Sequence, residues 1–149
     1  MSRKPTICAI KHYEPAKVRF EFSHAAIFGG GPVVEWIGKK SQFRWRESYD
    51  PTWHELPVPA DLQWKAFWLL LEQSGARNWD ADYTNPDILD GIGWDFKLTA
   101  PGLRIESSGS NSYPGSDSFE SSPYSPFDIL ITAIGILVGR DVHTLKRHE

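Results

Sequence analysis

Five aspartates lie within sixteen residues of one another, and carboxylates in such a cluster can hold a cation or act as general acid and base. They are Asp80, Asp82, Asp87, Asp90 and Asp95. The start of the cluster resembles a calcium loop. Its sixth position is Asn85 instead of glycine, however, and its twelfth is Gly91 instead of glutamate. We therefore predict no metal site here and interpret the Asn-Pro and Asp-Gly pairs in this stretch as turns.

The other residues with catalytic potential form no recognisable motif. The histidines do not have the i, i+4 spacing of a helical zinc motif: His12, His24, His54, His143 and His148. Cys8 is the only cysteine, and no Gly-x-Ser-x-Gly elbow is present. The sequence thus predicts no catalytic residue, no metal ligand and no cofactor. The enzyme hypothesis left open is a hydrolase with a dispersed acid/base site, formed by Asp80, Asp82, Asp90 and His54.

A second polar group is the Gly-Ser-Asn-x-Tyr-Pro motif at residues 109–114, which follows an Asp-Gly-x-x-Trp motif at residues 90–94. Glycine and asparagine tolerate positive φ, so the chain can turn sharply here. One interpretation is a rigid corner in which Asn111 bonds buried backbone groups. The other is a recognition surface that includes Ser110 and Tyr113. A small molecule or glycan would then bind in a cleft formed by Trp79, Asp82, Asn111 and Tyr113.

Hydrophobic periodicity predicts the elements that position these residues. Four segments are apolar or alternate with period two, which indicates a β-meander: residues 6–10, 18–23, 33–37 and 42–46. Helical spacing then predicts a helix between Pro59 and Gly75, with one apolar face: Trp64, Phe67, Trp68 and Leu71. Three further strands and a second helix are predicted after it, at residues 77–83, 93–99, 103–107 and 127–138.

This order of elements predicts an α+β fold. Its simplest form is an antiparallel β-sheet of about six to seven strands with two helices packed on one face. The 149 residues contain no linker strong enough to divide them, so we predict a single domain over 1–149. The connection at residues 107–125 is rich in serine and longer than usual, which indicates a functional or a mobile loop. An edge strand at 42–46 would allow a homodimer by strand addition.

Composition excludes several kinds of partner. The formal net charge is −3 and there is no block of lysine or arginine, so we expect no nucleic-acid partner. No apolar run reaches the roughly 20 residues that a membrane-spanning helix needs. The single cysteine gives no sign of an oxidising compartment, and the N-terminus lacks the apolar run of a signal peptide. We therefore expect a cytoplasmic protein.

The two motifs also carry a resemblance. The chain is similar to a group of small bacterial proteins of unknown function. The similarity lies in these two motifs, in Tyr-x-Asn-Pro at residues 83–86, in Trp79 and in a final apolar helix. The resemblance covers about residues 60–139, and its specific parts are the Asp-Gly-x-x-Trp and Gly-Ser-Asn-x-Tyr-Pro motifs. It implies a bacterial or phage origin and a compact domain, and it supplies no ligand or activity.

Tryptophan is the unusual component, with seven residues. We predict that Trp64, Trp68 and Trp94 fill the core, and we leave Trp53 and Trp79 open between core and binding surface. Aromatic-rich loops on a small acidic domain favour a non-enzymatic module that binds another protein, of the immunity or inhibitor type. The predicted anchors are Phe43, Tyr49, Trp53, Tyr113, Phe119 and Tyr124.

Overall fold

The computed structural model describes residues 11–26, 29–85, 91–115 and 125–145. Within these ranges the chain forms seven strands and two α-helices, and the predicted α+β fold is confirmed. In chain order the elements are β1 (Arg19–Ala26), β2 (Pro32–Ile37), β3 (Gln42–Glu47), β4 (His54–Leu56), α1 (Asp61–Ser74), β5 (Asp82–Thr84), β6 (Ile92–Ala100), β7 (Leu103–Ser110) and α2 (Pro126–Val138).

The seven strands form one sheet in the order β4-β3-β2-β1-β6-β7-β5. All neighbours are antiparallel except β5 and β7, which are parallel, so the sheet is mixed. β3 lies between β2 and β4, so the prediction that 42–46 is an edge strand is wrong. The strand predicted at 77–83 is also mostly wrong. Ala76–Asn78 is a 3₁₀ turn there, and only the short β5 follows.

Both helices pack on one face of the sheet, as predicted. Alternation along β1 turns Phe20 and Phe22 toward them. The ring of Phe67 from α1 stacks on Phe20, with centroids 5.7 Å apart, and Phe127 from α2 lies 6.2 Å from Phe22. Gln63 joins the two helices, since its side-chain amide donates to the Ile136 carbonyl at 2.9 Å. The opposite face of the sheet carries the charged alternate residues and is covered by neither helix.

Local signals at both helix ends explain why the helices form where predicted. In α1, the Ala60 amide donates to the Gln63 side chain at 2.7 Å, and Gly75 ends the helix in the left-handed conformation. In α2, the Ser125 hydroxyl accepts from the Asp128 amide at 3.1 Å, and Gly139 ends the helix in the same way. Among the described residues, no helix is long and apolar enough to cross a membrane.

The predicted assignment of three tryptophans to the core is confirmed, because Trp64, Trp68 and Trp94 are all buried. The two that the sequence left open, Trp53 and Trp79, are half-buried. They lie on different sides of the sheet. Trp79 packs against Trp94 on the helix-covered side, while Trp53 lies over arginines of the uncovered side. Only Trp53 can therefore contribute to a surface on the uncovered face.

Candidate functional site

The Gly-Ser-Asn-x-Tyr-Pro motif forms a corner at the end of β7. Asn111 adopts the left-handed conformation with φ 57°. Its side-chain oxygen accepts a hydrogen bond from the backbone amide of Ile92 at 2.9 Å. The backbone amide of Asn111 donates to the Ile92 carbonyl at 3.0 Å. These two bonds fix the start of β6 to the end of β7. The geometry favours the corner interpretation of this motif over the recognition surface.

The tryptophan of the Asp-Gly-x-x-Trp motif completes this corner. The Trp94 indole donates to the Ser112 carbonyl at 2.8 Å and crosses directly over Gly109. The Tyr113 ring stacks nearly parallel to it, at 13° and 6.3 Å. Tyr113 is only 4% exposed, so this predicted anchor is not available to a partner in the present conformation. The two motifs are thus parts of one packing unit.

Substituting Asn111 tests the corner. We expect Asn111→Ala to destabilise the protein by about 1–2 kcal/mol, because it removes a hydrogen bond and because alanine tolerates the left-handed region less well than asparagine does. Asn111→Gly removes only the hydrogen bond and should cost about half as much. Urea unfolding followed by tryptophan fluorescence measures both. Equal stability of the wild type and the alanine variant would contradict a structural role for Asn111.

The corner holds Tyr113 against a pair of histidines. The Tyr113 hydroxyl lies 3.0 Å from Nε2 of His24, and Nδ1 of His24 lies 2.8 Å from Nε2 of His143. Nδ1 of His143 is in turn 3.3 Å from the Asp141 carboxylate. Burial and the nearby His143 lower the pKa of His24 to about 4, and burial raises the pKa of Tyr113 to about 12. Both side chains are therefore neutral near pH 7.

A cavity of about 350 Å³ borders this histidine pair. Its polar lining includes both histidines and Glu47, and its apolar lining includes Ile92 and Leu145. The glycine run at residues 29–31 forms another wall. The sequence analysis missed this group because His24 and His143 are 119 positions apart, and only the pairing of β1 with β6 and the return of the chain after α2 bring them together.

The residues of the predicted glycan or small-molecule cleft are committed to structural contacts. The Trp79 indole donates to the Ser74 carbonyl at 3.0 Å, and its ring packs 5.8 Å from Trp94. The Asp82 carboxylate accepts from the Thr84 hydroxyl at 2.7 Å. Asn111 and Tyr113 serve the corner, so their polar groups are already engaged in the fold.

The dispersed acid/base site of the hydrolase hypothesis is not assembled either. His54 lies on β4 and Asp82 on β5, at opposite edges of the sheet. Six strand spacings separate them, or roughly 29 Å at about 4.8 Å each. The His54 ring stacks on Trp45 at 4.7 Å, and the Asp80 amide donates to the Tyr83 hydroxyl. Asp90, the fourth member of the predicted set, lies outside the described residues.

One of the predicted protein-binding anchors, Trp53, lies over the uncovered face of the sheet. The Trp53 ring lies 4.1 Å from the Arg44 guanidinium and 5.2 Å from that of Arg46, measured to the ring centroid. Tyr49, in the preceding loop, is 74% exposed. We call Arg44, Arg46 and Trp53, together with Tyr49 of the adjoining loop, the aromatic patch.

The other predicted anchors are not part of the aromatic patch. Phe43 is buried under the helices, because alternation turns it away from the arginines of the same strand, and its prediction as an anchor is wrong. Phe119 and Tyr124 lie outside the described residues. With Tyr113 buried as well, Trp53 and Tyr49 are the predicted anchors that remain on a described surface.

An ion pair and backbone hydrogen bonds hold the arginines of the aromatic patch in place. Arg44 forms an ion pair at 3.4 Å with Glu35, a buried carboxylate on the uncovered face of β2 that also lies 3.9 Å from Arg19. Arg46 donates to the carbonyls of Glu47 and Ser48 at 3.2 and 3.1 Å. These bonds restrict the arginine side chains, and the guanidinium faces hold the indole by cation–π attraction.

Comparison with known proteins adds no functional information. No family model matches the chain, and neither a curated protein nor a solved structure matches it. Within the described ranges, no group of three His, Cys, Asp or Glu side chains converges as a metal site would require. The aromatic patch and the histidine pair are therefore the candidate sites considered among the described residues.

Proposed function

We propose that this protein is a non-enzymatic binding module of the immunity or inhibitor type, which contacts another protein through the aromatic patch. The observation that carries the proposal is the Trp53 indole lying across two arginines, with an exposed tyrosine in the loop that leads to it. Tryptophan, tyrosine and arginine are the residues that most often dominate the energy of protein interfaces. The patch contains all three types, and its Trp53 and arginines lie on the face that neither helix covers.

Preorganisation supports the same proposal. Binding costs less when the interface side chains are already restricted. Trp53 is held by Arg44 and Arg46, and these are held by Glu35 and by backbone carbonyls. The Tyr49 ring rests against Gly30, where an added Cβ would lie 2.5 Å from a ring carbon. A partner would therefore meet a surface that needs little rearrangement, as in protease–inhibitor complexes.

Capture from the native host lysate tests the role of Trp53. We expect the wild type to retain a stoichiometric protein partner and Trp53→Ala to bind it about 30-fold more weakly, because truncating a central tryptophan costs about 2 kcal/mol or more. Leu62→Ala is the matched control. Leu62 is 76% exposed at the start of α1, away from the aromatic patch. The affinities are measured on the purified partner.

Two outcomes would reject this assignment. One is equal affinity of the wild type and Trp53→Ala, and the other is an equal loss of affinity in Leu62→Ala. If the protein is of the immunity or inhibitor type, the captured partner should also have an enzymatic or toxic activity that falls when the protein is added. If the partner stays fully active in the complex, the protein is a binding module but not an inhibitor. We further propose that this interaction takes place in the cytoplasm and involves no nucleic acid.

A further inference from the structure

A second cavity, of about 330 Å³, lies where β1 begins and β2 ends. Two short 3₁₀ turns meet there, Pro15–Lys17 before β1 and Gly38–Lys40 after β2. They approach closely because Gly38 has no side chain, since an added Cβ would overlap carbonyl oxygens of the first turn and of Val18. The Gly38 amide also donates to the Val18 carbonyl at 3.0 Å. Backbone contacts between the two turns therefore shape one wall of this cavity.

The lining of this cavity combines apolar surface with positive charge. Ala16, Val18 and Ile37 contribute the apolar surface, and Thr99 of β6 adds a hydroxyl group. Strand pairing sets Ile37 and Thr99 on either side of β1. None of the described lining residues is acidic, whereas three of them are basic and come from the first turn, from β1 and from the second turn: Lys17, Arg19 and Lys39. The cavity therefore matches a ligand that is both apolar and anionic.

The basic side chains are only weakly engaged in the folded protein. Lys17 lies 3.8 Å from Glu14, and Arg19 lies 3.9 Å from Glu35. The Lys17 and Arg19 side chains are 61% and 68% exposed, and ion pairs between solvent-exposed groups contribute little to stability. Glu35 keeps its 3.4 Å ion pair with Arg44 when Arg19 turns to a ligand. An anion in the cavity therefore replaces weak contacts and leaves no buried carboxylate without a partner.

We propose that this cavity binds a small organic phosphate, whose phosphate group lies among Lys17, Arg19 and Lys39 and whose apolar body packs on Val18 and Ile37. A phosphate monoester carries a charge of about −1.5 to −2 at pH 7, which suits three cations better than the single charge of a carboxylate. Arginine contacts phosphate oxygens in pairs, and lysine adds a point charge. The cavity volume lies within the range of about 300–1,000 Å³ that is usual for ligand sites. None of the lining residues belongs to the aromatic patch, so this site is independent of the proposed protein interface.

Calorimetric titration of the full-length protein with 1-naphthyl phosphate tests the proposal. We expect one molecule to bind per chain, with an affinity that falls as salt is added, because the cations are exposed. Three comparison compounds separate the parts of the ligand. 1-Naphthol lacks the phosphate, inorganic phosphate lacks the apolar body, and 1-naphthoate carries a single negative charge. We expect each of them to bind at least about tenfold more weakly than 1-naphthyl phosphate.

Two neighbouring lysines of the second turn provide matched variants. Both are exposed, but Lys39 lines the cavity and Lys40 does not. We expect Lys39→Ala to weaken binding of 1-naphthyl phosphate about tenfold, and Lys40→Ala to weaken it less than about twofold. Thr99→Val keeps the shape of the side chain and should weaken binding about threefold through loss of the hydroxyl. Thermal unfolding without ligand verifies that each variant is folded.

Four results would overturn the proposal. The first is a wild type that does not bind 1-naphthyl phosphate, and the second is a Lys39→Ala variant that binds it as tightly as the wild type. The third is an equal loss of affinity in Lys39→Ala and Lys40→Ala, which would indicate unspecific attraction to a basic surface. The fourth is equal affinity for 1-naphthoate and 1-naphthyl phosphate, which would reject phosphate as the recognised group.

Discussion

Replacing Phe127 by alanine is expected to lower the free energy of unfolding by about 4 kcal/mol. Phe127 is 2% exposed at the start of α2. Its ring contacts aromatic rings from five separate positions in the chain, with centroids 4.7–6.5 Å away: Phe22, His24, Trp79, Trp94 and Tyr113. Alanine would leave a cavity that rings from a rigid sheet and corner cannot fill.

Phe127→Leu is the matched control, because leucine keeps most of the volume and should cost about 1–1.5 kcal/mol. Urea unfolding at neutral pH, followed by tryptophan fluorescence, measures both variants. A loss below about 1 kcal/mol in Phe127→Ala would mean that this cluster is not packed at the density of a protein core. Trp53 and the arginines of the aromatic patch lie on the other face of the sheet, so a folded Phe127→Leu variant should retain wild-type affinity for the partner.

Gly109→Ala is expected to be the next most damaging change, at about 3 kcal/mol. A Cβ at this position would overlap the Trp94 indole and would lie 2.5 Å from the Ser112 carbonyl oxygen. It would therefore break the 2.8 Å hydrogen bond from Trp94 to Ser112 and leave both buried groups without it. Near-ultraviolet circular dichroism should report the displaced indole in addition to the loss of stability.

Gly93 provides a control on the neighbouring strand. It lies on β6, opposite Ser110 of β7, and an added Cβ would meet only the Gly109 carbonyl at an ordinary 3.7 Å. We expect Gly93→Ala to change the stability by no more than about 0.5 kcal/mol. Equal losses of stability in the two variants would show that the close contact with Trp94 is not what makes glycine necessary at position 109. The requirement for glycine in the Gly-Ser-Asn-x-Tyr-Pro motif would then lack a steric reason.

The two helices, which depend on local signals, were predicted correctly. The helix between Pro59 and Gly75 was found because its apolar face repeats every three to four residues and a glycine ends it. The sheet order was not predictable in the same way, because the parallel addition of β5 beside β7 depends on where the chain returns after α1. The edge prediction for 42–46 failed because the three-residue β4 is too short to give a period-two pattern.

The candidate sites also differ in how much of them local sequence signals can predict. Tyr49 and Trp53 follow from the sequence as candidate anchors, because large aromatics in a proline-rich loop favour a surface position. The arginines beneath Trp53 follow from strand alternation, but their contact with it needs the pairing of β3 with β4. Tyr113 was mistaken for an anchor because the sequence cannot show that Trp94 and Phe127 enclose its ring. The histidine pair has no signal in sequence spacing at all.

Hydroxyl-radical footprinting of the complex with the captured partner tests the central claim most directly. The oxidation rates of Tyr49 and Trp53 are compared between the free protein and the complex, with the half-buried Trp79 as internal reference. Binding through the aromatic patch predicts that oxidation of Tyr49 and Trp53 falls several-fold while that of Trp79 stays the same. Unchanged oxidation of Tyr49 and Trp53 in a stoichiometric complex, or protection of Trp79 in their place, would contradict it.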